Sequence, residues 1–224
     1  MKLYDWAPAP NPRRVRLFLA EKNIEIPIED VSGENFQLSA TYKQNYPEAM
    51  VPMLELDDGT QIGEAMAICR YLESEFPNNP LMGKNPVDAA TVDMWERRAW
   101  EQGMMPCSDI FRNTVPEFAD RGLAGRHVPL PQIDALVERG KTNMGLFFTK
   151  FDQRLSDREF IASDCYTVAD ITALTVMDFS AMSGLEVPGE YKNLHRWYTQ
   201  MSNRPSAYAS KLRTDGKPNL LGES

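Results

Sequence analysis

The chain is 224 residues long, with 42% hydrophobic and 25% charged residues and a formal net charge of −8. That length allows one large domain or two small ones, and the acidity opposes binding to nucleic acid or to an anionic membrane surface. No segment approaches the roughly 18 consecutive apolar residues of a membrane span, and the opening Met1-Lys2-Leu3-Tyr4-Asp5 holds no apolar stretch of signal-peptide length, so a cytoplasmic protein is expected.

Residues 1–78 alternate strands and helices. Lys2 to Trp6 is a short strand, followed by the proline-punctuated loop Ala7-Pro8-Ala9-Pro10. Asn11-Pro12 has the form of a helix start, with Asn as N-cap and Pro at the first helical position. Val15, Phe18, Leu19 and Lys22 follow at helical spacing, the Lys stem closing the stripe. Ile24 to Val31 alternates as a strand does, with Ile24, Ile26 and Ile28 on one face. Gly33 to Asn45 is a polar loop with room for one helical turn. Val51 to Leu56 is another strand, Asp57-Asp58-Gly59-Thr60 a hairpin turn, and Gln61-Ile62 the start of the return strand. Glu64 to Phe76 is a helix stopped by Pro77. The order is βαβ, then ββα.

Turn residues crowd positions 77–86, which marks a linker, assigned to 79–87, before a second domain over 88–224. Every periodic segment there is helical. Asp88 to Gly103 carries Val92, Trp95 and Ala99 on one face. Pro131 to Leu155 is long and amphipathic, with room for a weak point at Gly140 or Gly145. Thr167-Val168-Ala169-Asp170 has the spacing of a capping box. The helix it opens is apolar almost all round, which belongs at the centre of a core. Tyr191, Leu194, Tyr198 and Met201 form one more stripe, ended by Arg204-Pro205. An α/β half followed by an all-α half implies two domains. Cys69, Cys107 and Cys165 are odd in number and widely spaced, which argues against a disulfide framework and a zinc site. His127 and His195 are too few and too far apart for a metal cluster, so no metal is expected.

Several strings, in this order and spacing, resemble the glutathione transferase family over nearly the whole chain. They are Asn11-Pro12-Arg13-Arg14-Val15-Arg16, Val51-Pro52, Asp58-Gly59-Thr60, Glu64-Ala65-Met66-Ala67-Ile68-Cys69-Arg70-Tyr71-Leu72 and Thr167-Val168-Ala169-Asp170-Ile171. The resemblance implies a thioredoxin-like α/β domain over 1–78 that binds glutathione, and an all-helical domain that lines an electrophile pocket. It also implies a cis peptide before Pro52, a homodimer and a detoxifying transferase. The task of such an enzyme is to ionise the glutathione thiol, since a free thiol near neutral pH is only a few per cent thiolate.

By the same resemblance, Val51 pairs its backbone with the cysteinyl part of glutathione, as in an added strand, and Pro52 fixes the turn exposing it. Pattern alone reads Val51 as a buried strand residue. Glu64 and Ala65 stand where the family has an acid followed by serine. The acid binds the γ-glutamyl amine and the helix N-terminus its carboxylate; the alternative for Glu64 is a first-turn acid complementing the helix dipole. Two positions depart from the family pattern. Ala65 lacks the serine hydroxyl, and Ala9 falls where many members carry the catalytic serine. Asn11 is the nearest polar group; in nu-class relatives an asparagine here contacts the sulfur, and its other reading is a plain N-cap. Arg13, Arg14 and Arg16 fit either an anionic ligand nearby or a solvated basic face. Trp100, Met104, Met105, Phe111 and Asn113 are expected to wall the electrophile pocket, with core packing as the alternative. Conjugation of glutathione to small hydrophobic electrophiles leads. Glutathione-dependent disulfide reduction and a non-catalytic glutathione-binding module are the alternatives. A glutaredoxin mechanism is excluded, because residues 9–12 contain no cysteine.

Overall fold

The structure is a computed structural model that describes residues 1–34, 38–125 and 129–210; His127 lies outside the described residues. Among these, residues 1–79, 124–125 and 205–210 form one compact unit, and residues 80–123 and 129–204 the other.

The first unit is built on a four-stranded sheet in the order β2-β1-β3-β4: β1 is Lys2–Asp5, β2 Ile28–Asp30, β3 Met53–Glu55 and β4 Gln61–Gly63. β1 is parallel to β2 and antiparallel to β3, and β3 is antiparallel to β4. Three helices complete the α/β pattern: α1, Pro10–Lys22; α2, Ala40–Asn45; and α3, Ala65–Glu75. Leu3, Val15, Phe18, Leu54, Ile68 and Leu72 are almost wholly buried and make the core.

Two local expectations are corrected. The strand predicted over Ile24 to Val31 shrinks to Ile28–Asp30. Asn23 takes a left-handed conformation at φ 52° and ends α1, and the Ile24 N–H turns back to the Leu19 carbonyl at 2.9 Å. Ile24 is therefore a buried helix-end contact rather than a strand residue. Pro27, with no N–H for a ladder, offers only its carbonyl, which accepts from Leu3. The second correction is at α1, which starts at Pro10 with Ala9 in the cap position, so Asn11 is inside the helix and is not its N-cap. Pro10 and Pro12 both fall in the first turn, where N–H groups have no intrahelical partner and their absence is tolerated.

The second unit is helical: α4, Pro86–Ala99; a π-helical turn, Trp100–Met104; α5, Met105–Thr114; α6, Asp134–Arg154; α7, Val168–Met182; and α8, Lys192–Ser202. The helix expected over Asp88 to Gly103 thus belongs to a longer run. Met105 N–H reaches back five residues to the Trp100 carbonyl, and the widened turn precedes Pro106, which has no N–H to give. Glycines set the closest approaches. A Cβ on Gly103 would stand 2.7 Å from Val176 Cγ1 and 2.9 Å from Phe147, and one on Gly140 would stand 2.7 Å from Ile110 Cγ1. Gly140 is therefore a packing contact in an unbroken α6, not a weak point.

α7 is buried almost all round, as its sequence predicts. Its first turn is closed by Asp170. Thr167 N–H and Oγ1 both donate to Asp170 Oδ2 at 3.1 Å, while Ile161 N–H at 3.0 Å and the indole Nε1 of the fully buried Trp197 at 3.1 Å donate to Oδ1. The stretch after α8 turns back to the first unit as α9, Pro205–Ala209, which packs on α1.

Candidate functional site

Strand register brings three separated stretches to one end of the sheet. Tyr4 pairs with Met53, and Met53 with Gly63. The chain leaving β1 toward α1, the chain entering β3 from Val51-Pro52, and the chain leaving β4 toward α3 therefore meet side by side. Asn11, Val51, Pro52, Glu64 and Ala65 all belong to this end.

At the first stretch, the turn from Trp6 to Ala9 is closed by the Ala9 N–H on the Trp6 carbonyl at 2.9 Å. The α1 mouth has no side-chain cap and no acidic residue in its first turn. Arg14 Nη1 donates to Asn11 Oδ1 at 3.2 Å. That contact orients the Asn11 amide, and its Nδ2 donates to nothing among the described residues. Arg14 is buried and Arg16 is 5% exposed, so these arginines are not a solvated basic face.

At the second stretch, the Val51–Pro52 peptide is cis. Val51 N–H and C=O make no hydrogen bond among the described residues, which is the condition for pairing with an extended ligand. Residues that sequence reasoning passed over hold this segment in place. The Tyr42 hydroxyl donates to the Met50 carbonyl at 2.7 Å. Burial, followed by the charge of Tyr4, pushes the Tyr42 phenol up to about 12, so it stays a donor. Gly125, at φ 65°, packs so tightly that a Cβ there would stand 2.5 Å from Met50 Sδ. The Tyr42, Tyr46 and Tyr4 rings pack together in tilted pairs, and the Tyr46 and Tyr4 hydroxyls converge on Glu55. A tyrosine two residues into a short helix carries no signal of this role in sequence; the partner is non-local.

At the third stretch, Glu64 has φ 61° and ψ 121°, a region that strains a residue with a side chain. Its carboxylate is exposed and bonded to nothing among the described residues. The first N–H of α3 to bond within the helix is Ile68, to the Glu64 carbonyl at 3.0 Å, so those of Ala65, Met66 and Ala67 precede the ladder. Ala65 is buried and adds only its backbone. An acid beside open N–H groups suits a ligand carrying an amine and a carboxylate on one carbon.

The expected pocket residues of the helical unit divide by their contacts. Trp100 opens the π-helical turn and is partly exposed, and Met105 is 50% exposed. Phe111 rests its ring on Phe118 and Phe179. Met104 is buried. Asn113 is buried with both amide atoms engaged, its Nδ2 on the Asp109 carbonyl at 2.7 Å and its Oδ1 accepting from Ile133 N–H at 2.9 Å. Arg112 donates to the Arg121 carbonyl at 3.0 Å. The cysteines are free thiols, and burial pushes Cys107 up to about 12, which keeps it protonated. Among the described residues no helix is long and apolar enough to cross a membrane, and no group of three or more His, Cys, Asp or Glu could hold a metal ion.

Comparison with known proteins bears on the family and the fold. The glutathione S-transferase N-terminal domain family matches residues 3–80, and the glutathione S-transferase C-terminal domain family matches residues 116–205. Glutathione S-transferase 2 of Saccharomyces cerevisiae is 36% identical over 213 residues, covering 92% of this chain and 87% of that one. The crystal structure of a Gtt2-class glutathione S-transferase of Vibrio parahaemolyticus superposes with a TM-score of 0.78 at 36% identity, covering 94% of this chain and 96% of that one. Gtt2 from Saccharomyces cerevisiae superposes with a TM-score of 0.79 at 32% identity, covering 92% and 98%. This chain therefore belongs to the glutathione S-transferase family, with a thioredoxin-like N-terminal domain and a helical C-terminal domain, and is a glutathione transferase enzyme.

Proposed function

We propose that the chain binds glutathione across this end of the sheet as the thiolate and conjugates it to small hydrophobic electrophiles. The observation that carries the reading is the convergence of a Val51 peptide and a Glu64 carboxylate, both unpaired among the described residues, with an α1 mouth that has no side-chain cap. Val51 pairs with the cysteinyl backbone, with Pro52 fixing the turn. Glu64 takes the γ-glutamyl amine, and the α3 N–H groups from Ala65 onward take its carboxylate. The thiol lies at the α1 mouth, where Asn11 Nδ2 donates to the sulfur. Lowering a thiol pKa by two units needs about 2.7 kcal/mol. A helix N-terminus supplies up to roughly 2 kcal/mol in a partly buried setting, and one donor to the thiolate adds about 1.5–3 kcal/mol. A hydroxyl at position 9 is not required by that sum.

In the helical unit, Trp100, Met104, Met105, Phe111 and Asn113 supply the wall of the electrophile pocket; a soft Met suits loose substrate demands. The protein works in the cytoplasm as a homodimer, in which a second subunit covers apolar side chains such as Val87 and Met94, 76% and 42% exposed on α4. The test pairs glutathione calorimetry with turnover of a chloronitroaromatic and of a small hydroxyalkyl disulfide. Binding with aromatic conjugation is expected. Disulfide turnover without conjugation would move the assignment to a reductase, and no binding at all would refute it.

A further inference from the structure

We propose that Arg16 is a positioning residue for the thiol site: its guanidinium clamps the β1–α1 turn to the helix whose mouth faces the sulfur. This rests on the glutathione reading above and adds to it the residue that holds the sulfur-facing turn in place.

Arg16 is on the second turn of α1 and points back beneath that turn. Nη1 donates to both carboxylate oxygens of Asp5, the last residue of β1, at 2.5 and 2.6 Å. Nη2 donates to the Ala7 carbonyl at 3.1 Å. Nε donates to the Ser210 carbonyl at 3.2 Å, just past α9. Asp5 is 1% exposed and Arg16 5%. One buried side chain thus fixes the strand end, the turn and the closing stretch of the unit at once. Within the turn the Ala9 N–H donates to the Trp6 carbonyl, and the Arg16 contact to Ala7 ties that turn to the helix. Asn11 follows directly, and its amide is set by Arg14.

Displacing a reacting group by about 1 Å can lower a rate about a hundredfold. The Ala7 carbonyl determines where the turn sits, and therefore where the α1 mouth and Asn11 meet the sulfur. Only a guanidinium can hold three separate acceptors from one planar head; an ammonium has a single nitrogen and cannot span them. Arg16 touches neither the proposed ligand nor the expected sulfur position. Its effect must pass through the turn.

The experiment compares wild type with Arg16→Lys and with the paired Asp5→Asn/Arg16→Met, which removes both buried charges should the single variant fail to fold. Each is measured for glutathione affinity by calorimetry, for the pKa of the bound thiol by thiolate absorbance, for kcat and KM, and for melting. The expected result for a folded variant is affinity within about threefold of wild type, a bound thiol pKa about one unit higher, and kcat near neutral pH about tenfold lower. A kcat loss matched by equal losses of affinity and stability, with the thiol pKa unmoved, would make Arg16 merely structural and overturn the proposal. So would variants with wild-type thiol pKa and kcat. If the wild type binds no glutathione, the site assignment itself falls and this proposal with it, an outcome distinguishable from both of the others.

Discussion

Two helix mouths in this molecule are finished in opposite ways. The α7 mouth is closed by its own chain: the Asp170 carboxylate takes donors on both oxygens and is shut off from water by Trp197. The α1 mouth has no side-chain cap, no acid in its first turn and two prolines where a donor is dispensable. A helix start closed by a side chain belongs to the fold. One left open beside two further unpaired groups is available to a ligand.

The comparison breaks most visibly at Asp170. Asp170→Ala leaves several buried donors without an acceptor and should cost about 3–5 kcal/mol, roughly 10 °C or more in a melting curve. Whatever remains folded should keep its glutathione affinity. A stability change below about 1 kcal/mol would count against a closed mouth.

Next in size is a pH effect. Burial pushes Asp170 up to about 6 from its ordinary 3.8, against the pull of its Ile161, Trp197 and Thr167 donors. The folded value lies above the unfolded one. The stability linked to this group is therefore full at acid pH and is lost as pH rises from about 4 through about 6, by about 2–3 kcal/mol. Stability measured by denaturant titration across that window, wild type against Asp170→Asn, isolates it; a difference that stays flat refutes the assignment.

At the ligand end, Glu64→Ala should weaken glutathione binding more than tenfold, about 1.5–3 kcal/mol. Its exposed carboxylate bonds to nothing among the described residues, so stability should hardly move. Glu64→Gly sharpens this: relief of the φ 61° backbone should raise stability while binding falls as far. Calorimetry beside a melting curve reads both.

The smallest effect is at Asn11. Asn11→Ala should raise the bound thiol pKa by about one unit, about 1.4 kcal/mol, with a stability loss of about 1 kcal/mol, since Asn11 caps nothing and gives up its bond from Arg14. Asn11→Asp puts a charge at the open mouth and should raise the thiol pKa further. A wild-type thiol pKa in both variants would remove Asn11 from the sulfur site.

What the sequence discloses follows the range of each interaction. The Thr167 to Asp170 cap is legible because its two halves are three residues apart, and α7 because apolar residues all round leave it nowhere but the core. Trp197 and Ile161 complete the same carboxylate from distant positions and leave no local mark. The start of α1 is misread because Asn11-Pro12 fits a cap rule that Ala9-Pro10 fits less well, and the first turn tolerates both prolines. The Val51 peptide, half-buried and unpaired among the described residues, is reachable only by resemblance; pattern alone gives a strand residue. The burial of Arg14 and Arg16 is invisible without Asp5 beside them, since three arginines in four positions read equally well as a wet surface.

The first unit is discontinuous in sequence, and this bears on the order in which the chain folds as it is made. Residues 1–79 emerge from the ribosome early, yet α9 and the Ser210 carbonyl that accepts from Arg16 follow only after the whole helical unit has been synthesised. Domains commonly fold in the order they appear. Here the packing of the earlier unit is completed only once the later unit has been synthesised, because until then one of its buried arginines is short of an acceptor.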